Sequence, residues 1–296
     1  MFTFHSSPAR LTFIRLVVLS LTAGSMAQET ARPVEPITKG QRIFTCGHSF
    51  HVWAPGIVSD LCRMAEIPAH QQLGISSIGG SRIIQHWNIA PEKNKAKDAL
   101  RTGQVEVLTL APIFLPDPGI ENFVALALEH NPDIRVIVQP SWLRWDIYEP
   151  TTKRPAKTDH NAITGEELRK RHAPHFETMD AHLQELNKKF GKTVIYVAPV
   201  APAIIALREK IIAGEAPGLN QQEDLFTDEL GHGTAPLKVL VAYGNYAVLY
   251  RRSPVGLPVP AELKHAKLGE NEEPLNRLLQ QLAWDAVREH PMSGVK

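Results

Sequence analysis

Two short segments of this chain carry residue types that can perform acyl transfer together. The first is Gly47-His48-Ser49-Phe50, directly after the apolar run Ile43-Phe44-Thr45-Cys46. A Ser at a strand-to-helix turn presents its hydroxyl and its backbone N–H at the edge of a sheet, where a substrate reaches both. The same position is an ordinary helix cap, so Ser49 alone is a weak sign. The second segment is Phe226-Thr227-Asp228-Glu229-Leu230-Gly231-His232-Gly233, ahead of a helix entered through Thr234 and Pro236. A hydroxyl needs a base to take its proton, and an imidazole base needs a carboxylate to fix its tautomer and stabilise its cation. An acid three or four residues before a His supplies both from one loop, although such proximity also arises by chance.

These segments need a scaffold that brings them to one edge. Apolar, β-branched runs at Arg42 to Cys46, Gln72 to Ile78, Val105 to Ala111, Ile134 to Gln139 and Thr193 to Ala198 lack clean alternation, the pattern of strands buried on both faces. Between them the spacing predicts helices at Ile57 to Glu66, around Asn94 to Thr102, and at Ile120 to His130. A long helix opens with a Thr164–Glu167 capping box and ends near Phe190-Gly191, with Pro174 expected to kink or split it. After the fifth strand, Ile204 to Ala213 closes at Gly214, a left-handed cap. The alternation predicts a three-layer α/β/α sandwich around a five-stranded, mostly parallel sheet with right-handed crossovers.

The insertion at 140–163 breaks the rhythm. Its aromatic half, with Trp142, Trp145 and Tyr148, reads equally as a wall on which a sugar could stack or as closure of the sheet edge. The final stripe of Leu275, Leu278, Leu279, Leu282, Ala286 and Val287 predicts an amphipathic helix packed on the domain, in a C-terminal extension spanning 253–296.

In combination, the motifs resemble the SGNH (GDSL-type) hydrolase family of esterases and lipases over roughly 42–252. Gly47-His48-Ser49-Phe50 is similar to that family's nucleophile block, Ile78-Gly79-Gly80-Ser81 to its glycine block, and Asp228 to His232 to its acid-and-histidine block. The resemblance implies the flavodoxin-like SGNH hydrolase fold, Ser49 as nucleophile, His232 as base and Asp228 as orienting acid, with Glu229 the alternative acid. It also implies the Ser49 and Gly80 N–H groups as oxyanion donors, beside Gly79, and no metal or organic cofactor. Three departures stand out. His48 occupies a position where the family usually has Asp, and it reads as a plain loop side chain. Asp228 lies four residues before His232, whereas the family's spacing of three falls on Glu229. The third strand ends in Leu110-Ala111-Pro112-Ile113-Phe114, where the family carries a Gly-x-Asn-Asp block whose Asn donates to the oxyanion; Asn88, Asn122 and Asn161 are possible stand-ins.

Composition narrows the setting. Arg10 and Arg15, the apolar stretch Leu16 to Ala23 and Ser25-Met26-Ala27 form a secretory signal peptide, cleaved after Ala27 and followed by a linker over 28–41. The uncharged run from Leu16 to Gln28 is too short for a bilayer, which takes roughly 20 apolar residues, so no integral membrane segment is expected after cleavage. Of the 32 Lys and Arg, two leave with the signal, so the exported chain nearly balances its 31 Asp and Glu and offers no field for a nucleic acid. Cys46 on a strand and Cys62 on a helix fall too far apart for a disulfide and read as buried thiols. His172 and His175 around Pro174, with His182, read as surface histidines, not zinc ligands. The expected protein is a secreted or periplasmic serine esterase acting on a small acyl ester, with an acetylated glycan as substrate. The alternative is a catalytically weak or inactive carbohydrate-binding protein on the same fold.

Overall fold

The computed structural model describes residues 1–3, 35–148, 155 and 157–295. The signal features from Arg10 to the Ala27 cleavage site, residues 28–34 of the linker, and Glu149 to Arg154 in the insertion lie outside the described residues.

Five parallel strands form one sheet in the order β2-β1-β3-β4-β5, the flavodoxin-like arrangement: β1 Arg42–Gly47, β2 Gln71–Ser77, β3 Val107–Leu110, β4 Arg135–Val138 and β5 Ile195–Val197. The helices are α1 Ala54–Met64, α2 Ile83–Trp87, α3 Lys95–Arg101, α4 Pro118–His130, α5 Gly165–Lys189, α6 Val200–Ile212, α7 Ala235–Tyr250, α8 Ala261–Lys264 and α9 Glu272–Glu289. Strand side chains alternate between two cores. Ile43, Val107 and Ile137 face α1, α6, α7 and α9, while Phe44, Cys46, Leu108, Leu110, Val136 and Val138 face α2 to α5. This is the three-layer sandwich read from the sequence.

The edge strand β2 departs from that reading. It is not buried on both faces, and Ile75 is 43% exposed, because only one neighbour covers it. Cys46 and Cys62 are free thiols, both buried, and sit in the two different cores. Burial raises both thiols above their usual range. Helix α5 is not split at Pro174; it runs on to Lys189. Its capping box is half formed. Thr164 Oγ1 accepts from the Glu167 amide, but the Glu167 carboxylate pairs with Arg171 instead of turning back. Helix α7 is buried almost all round, which explains its unbroken apolar run. Helix α9 lies on α6 and α7, with Leu275, Leu279, Ala283 and Val287 buried.

Beneath the first strand-to-helix turn lies a buried polar network. Gln139 Nε2–H donates to the Phe50 carbonyl (3.1 Å), and Gln139 Oε1 accepts from Asn245 Nδ2 and His51 Nδ1 (both 2.8 Å). His51 Nε2 meets Thr109 Oγ1 at 3.1 Å, which lies 2.8 Å from Thr45 Oγ1. Polar groups inside a core are tolerated only when partnered in this way.

The surface reading of the α5 histidines is overturned. His172 and His175 are buried and His182 is half-buried, since α5 packs this face against the insertion and the sheet. His172 Nε2 accepts from the Leu143 amide (3.2 Å), and His175 Nε2–H donates to the Ser141 carbonyl (3.3 Å). Burial drives His51 and His172 from 6.5 down to about 4. Their folded pKa lies below the unfolded value, so the unfolded chain takes up protons first as pH drops. Stability is therefore full above pH 6.5 and is lost as the pH falls from there toward about 4, by at most about 1.4 kcal/mol per pH unit for each such His. Urea unfolding across this range should show the decline; a free energy unchanged between pH 7 and pH 4 would refute it.

Candidate active site

The first strand delivers Ser49 into a tight turn in which the His48 carbonyl accepts from the His51 and Val52 amides (2.9 and 3.1 Å). Gly47 suits the crowded turn, because a Cβ would lie a tight 3.1 Å from both Ala111 Cβ and His51 Cδ2. The turn is pinned twice more, by Trp53 Nε1–H on the Ser49 carbonyl (2.7 Å) and by Gln139 on the Phe50 carbonyl.

The His232 loop is closed at its base by an antiparallel bridge between Phe226 and Gly233 and by the Thr227 amide on the His232 carbonyl (2.8 Å). Within it Gly231 adopts φ +101°, which L side chains rarely take. That turn absorbs the extra residue between acid and His. Asp228 Oδ2 lies 2.6 Å from His232 Nδ1, and His232 Nε2 lies 2.8 Å from Ser49 Oγ. Asp228 Oδ1 also accepts from the Gly231 and His232 amides (both 3.1 Å). Partial burial alone would raise the Asp228 pKa, but these hydrogen bonds outweigh it and hold the carboxyl below its usual range. An ionised Asp228 keeps the imidazole proton on Nδ1 and leaves Nε2 to accept the Ser49 proton. Both ring nitrogens are thereby engaged, Nδ1 by Asp228 and Nε2 by Ser49.

Aromatic packing joins the two segments. Phe50 stacks on Trp142 (4.4 Å between centroids) and meets the His232 ring edge-on (5.2 Å), while Trp142 Nε1–H donates to the Gly231 carbonyl (2.9 Å). His48 and Phe50, which flank Ser49, line a small pocket together with Ile113, Phe114, Trp142 and Tyr148 among others. The proposed aromatic wall is corrected in part. Trp142 is mostly buried support that shows one face to the pocket, Tyr148 is exposed at its rim, and Trp145 does not line it. The Trp145 ring lies 5.1 Å from the Arg144 guanidinium instead.

The Ile78 amide donates to the Gly47 carbonyl (3.1 Å), which sets the glycine block alongside the nucleophile turn. Gly80 has φ +57°, and a Cβ there would lie 3.9 Å from Ile113 Cδ1. Among the described residues the Ser49 and Gly80 amides hydrogen-bond to no other group. The possible stand-ins for the missing side-chain amide are all elsewhere: Asn88 ends α2, Asn122 lies on α4, and Asn161 bonds to Gln221 and the Glu223 amide. None lines the pocket.

Two supporting residues escaped sequence reasoning. Buried Asp117 accepts from the Ile83, Ile84 and Gly119 amides (2.6, 3.0 and 2.9 Å), tying the glycine block to the loop after β3. Its sequence signal, Asp before Pro at the start of α4, was available as a helix cap. Asp146 pairs with Arg208 in bidentate fashion (2.6 and 3.0 Å) and with His160 Nδ1 (2.7 Å). Burial works against the Asp146 charge, yet the His160 and Arg208 hydrogen bonds and the Arg208 charge hold its pKa at about 2. Trp145 and Asp146 both sit at φ +54°, a costly conformation for such residues, and the Trp145 amide donates to the Leu230 carbonyl (3.2 Å). His160 and Arg208 also lie 4.3 and 5.4 Å from the Phe226 ring. The ion pair thus braces the loop on both sides of Asp228. Among the described residues, no group of three His, Cys, Asp or Glu side chains could hold a metal ion.

No protein-family model and no curated protein matches the sequence. Among solved structures, a DUF4886 family protein from Bacteroides uniformis is similar over 87% of this chain and 100% of that one, at 13% identity and a TM-score of 0.55. The chain shares that protein's fold. Less similar in shape are a candidate SGNH hydrolase from Slackia heliotrinireducens (16% identity, 70% of this chain, 98% of that one, TM-score 0.41) and phospholipase A1 from Streptomyces albidoflavus (10%, 71%, 99%, 0.41).

Two expectations follow from the geometry. Arg208→Met strands a buried carboxylate and should cost about 3–5 kcal/mol in chemical unfolding; a loss below about 1 kcal/mol would show the pair to be incidental. Any ester turnover of the protein should fall roughly 10³- to 10⁴-fold in Asp228→Asn and only a few-fold in Glu229→Gln, and the reverse ranking would reassign the acid.

Proposed function

We propose that this chain is a serine ester hydrolase of the SGNH type, with Ser49 as nucleophile, His232 as general base and Asp228 as its orienting acid. The observation that carries this reading is the unbroken run of hydrogen bonds from Ser49 Oγ through His232 to Asp228 at the carboxyl edge of a parallel sheet. His232 takes the Ser49 proton as Oγ attacks the acyl carbon. The oxyanion then forms beside the Ser49 and Gly80 amides, and water later releases the acid from the acyl-enzyme by the same base.

The pocket that His48 and Phe50 line is compact and largely apolar, which suits a small acyl group such as acetyl. Exposed Tyr148 at its rim supports a glycan as the leaving alcohol. The N-terminal signal features support export. Among the described residues no helix is long and apolar enough to cross a membrane. The missing side-chain amide after β3 favours, as a second reading, a glycan binder with little turnover.

A fluorophosphonate probe separates the two. Labelling at Ser49 in the folded protein, with p-nitrophenyl acetate hydrolysis well above a Ser49→Ala control, is the expected result. Absence of both would leave the binder. On expression in an exporting host, the mature N-terminus is expected at Gln28; an intact Met1 on exported protein would refute cleavage.

A further inference from the structure

We propose that His48 Nε2–H is a third oxyanion donor of this site, in place of the side-chain amide that the loop after β3 lacks. The inference rests on the hydrolase reading above and concerns a residue whose sequence context marked it only as a loop side chain.

His48 is 2% exposed, yet it lines the pocket together with Pro112, Ile113 and Phe114, the very residues that replace the expected Asn block. Its tautomer is set by its surroundings. The Phe50 amide donates to His48 Nδ1 (3.3 Å), so in the neutral ring the proton resides on Nε2. Among the described residues that buried Nε2–H has no hydrogen-bond partner. A buried donor without a partner is rare and calls for an explanation. Ile113 links His48 to the glycine block: it lines the pocket with His48, and its Cδ1 lies 3.9 Å from where a Gly80 Cβ would stand. On this assignment the Ser49 amide, the Gly80 amide and His48 Nε2–H face the oxyanion from three neighbouring turns.

The ring is suited to donate without titrating. Burial, reinforced by His51, His86, Arg144 and His232 around it, lowers its pKa to about 3. An Asp here would oppose an oxyanion, whereas a neutral imidazole N–H stabilises it. In the reaction, Ser49 Oγ bonds to the acyl carbon, the carbonyl π pair moves onto oxygen, and the Ser49 proton passes to His232 Nε2. The oxyanion accepts hydrogen bonds from the three donors. Collapse re-forms the carbonyl, breaks the ester C–O bond and returns the His232 proton to the leaving alcohol. His48 keeps its proton throughout.

The test compares His48→Phe, which keeps a ring without a donor, with His48→Gln, which restores an N–H. With p-nitrophenyl acetate, kcat should fall about 10²- to 10³-fold in His48→Phe with KM little changed, and His48→Gln should recover about tenfold or more. In wild-type protein carrying ¹⁵N-His, the His48 Nε2–H resonance should move downfield when phenylboronic acid forms its tetrahedral adduct on Ser49. The second measurement decides the matter if His48→Phe does not fold. Wild-type turnover with full activity in folded His48→Phe, or a boronate adduct that leaves the resonance unmoved, overturns the donor assignment alone. A wild-type protein that neither hydrolyses the ester nor reacts with fluorophosphonate at Ser49 overturns the hydrolase reading and this inference with it.

Discussion

The 2.8 Å contact between Ser49 Oγ and His232 Nε2 joins residues 183 positions apart, and a chain cannot hold such a contact unless both ends are fixed by stiffer elements. Ordering even one backbone residue costs on the order of 1–2 kcal/mol, whereas a neutral hydrogen bond returns only about 0.5–1.5 kcal/mol. The contact is therefore a consequence of the fold and not a cause of it. One end is fixed by β1, central in the sheet and paired on both sides, and by the Gln139 amide on the Phe50 carbonyl. The other end is fixed by the Phe226–Gly233 bridge. Phe50 and Trp142 then join the ends directly, since one stacked pair touches both the nucleophile turn and the histidine loop.

The insertion after β4 acquires its role through the same logic. It hangs on α5 by the Leu143 amide donating to buried His172 and by buried His175 donating to the Ser141 carbonyl, and on α6 by the Arg208–Asp146 pair. A buried ion pair gives little net stability over an apolar substitute of the same shape, so its use lies in geometry. Asp146 and Trp145 sit in a conformation that neither favours, and only a strong, directional partner such as a bidentate guanidinium holds them there.

How much of this was legible depended on whether the signal was local. The strands β1 and β3 to β5 are continuous apolar runs that no polar face interrupts, and Thr164 and Gly214 mark helix ends through chemistry confined to one turn. The edge position of β2 was not legible, because its apolar residues look like those of a central strand until its neighbours are known. The histidines of α5 failed for a related reason. Their helix is polar on average, and only the packing of the insertion against it reveals that His172 and His175 point inward. Asp228 against Glu229 turned on one backbone angle at Gly231, and the partnership of Asp146 with Arg208 spans 62 positions without any motif.

The structure contains two carboxylate–imidazole pairs of nearly equal length, Asp228 with His232 at 2.6 Å and Asp146 with His160 at 2.7 Å, and comparing them shows what a base requires beyond a partner. Asp146 is engaged by both terminal nitrogens of Arg208, so its charge is matched by a fixed cation in the core. His160 Nε2 is buried with no partner among the described residues, and its ring lies against Phe226. Among the described residues Asp228 pairs with no Arg or Lys; its acceptors are met by two backbone amides and the ring itself, while His232 keeps one edge toward Ser49 and solvent. In the proposed mechanism, a charge arising on His232 is thus met by a carboxylate held by backbone amides in a half-exposed site. The same chemical parts form a brace in one loop and, in the proposed mechanism, a base in the other, and the difference is set by Arg208 and by access to solvent.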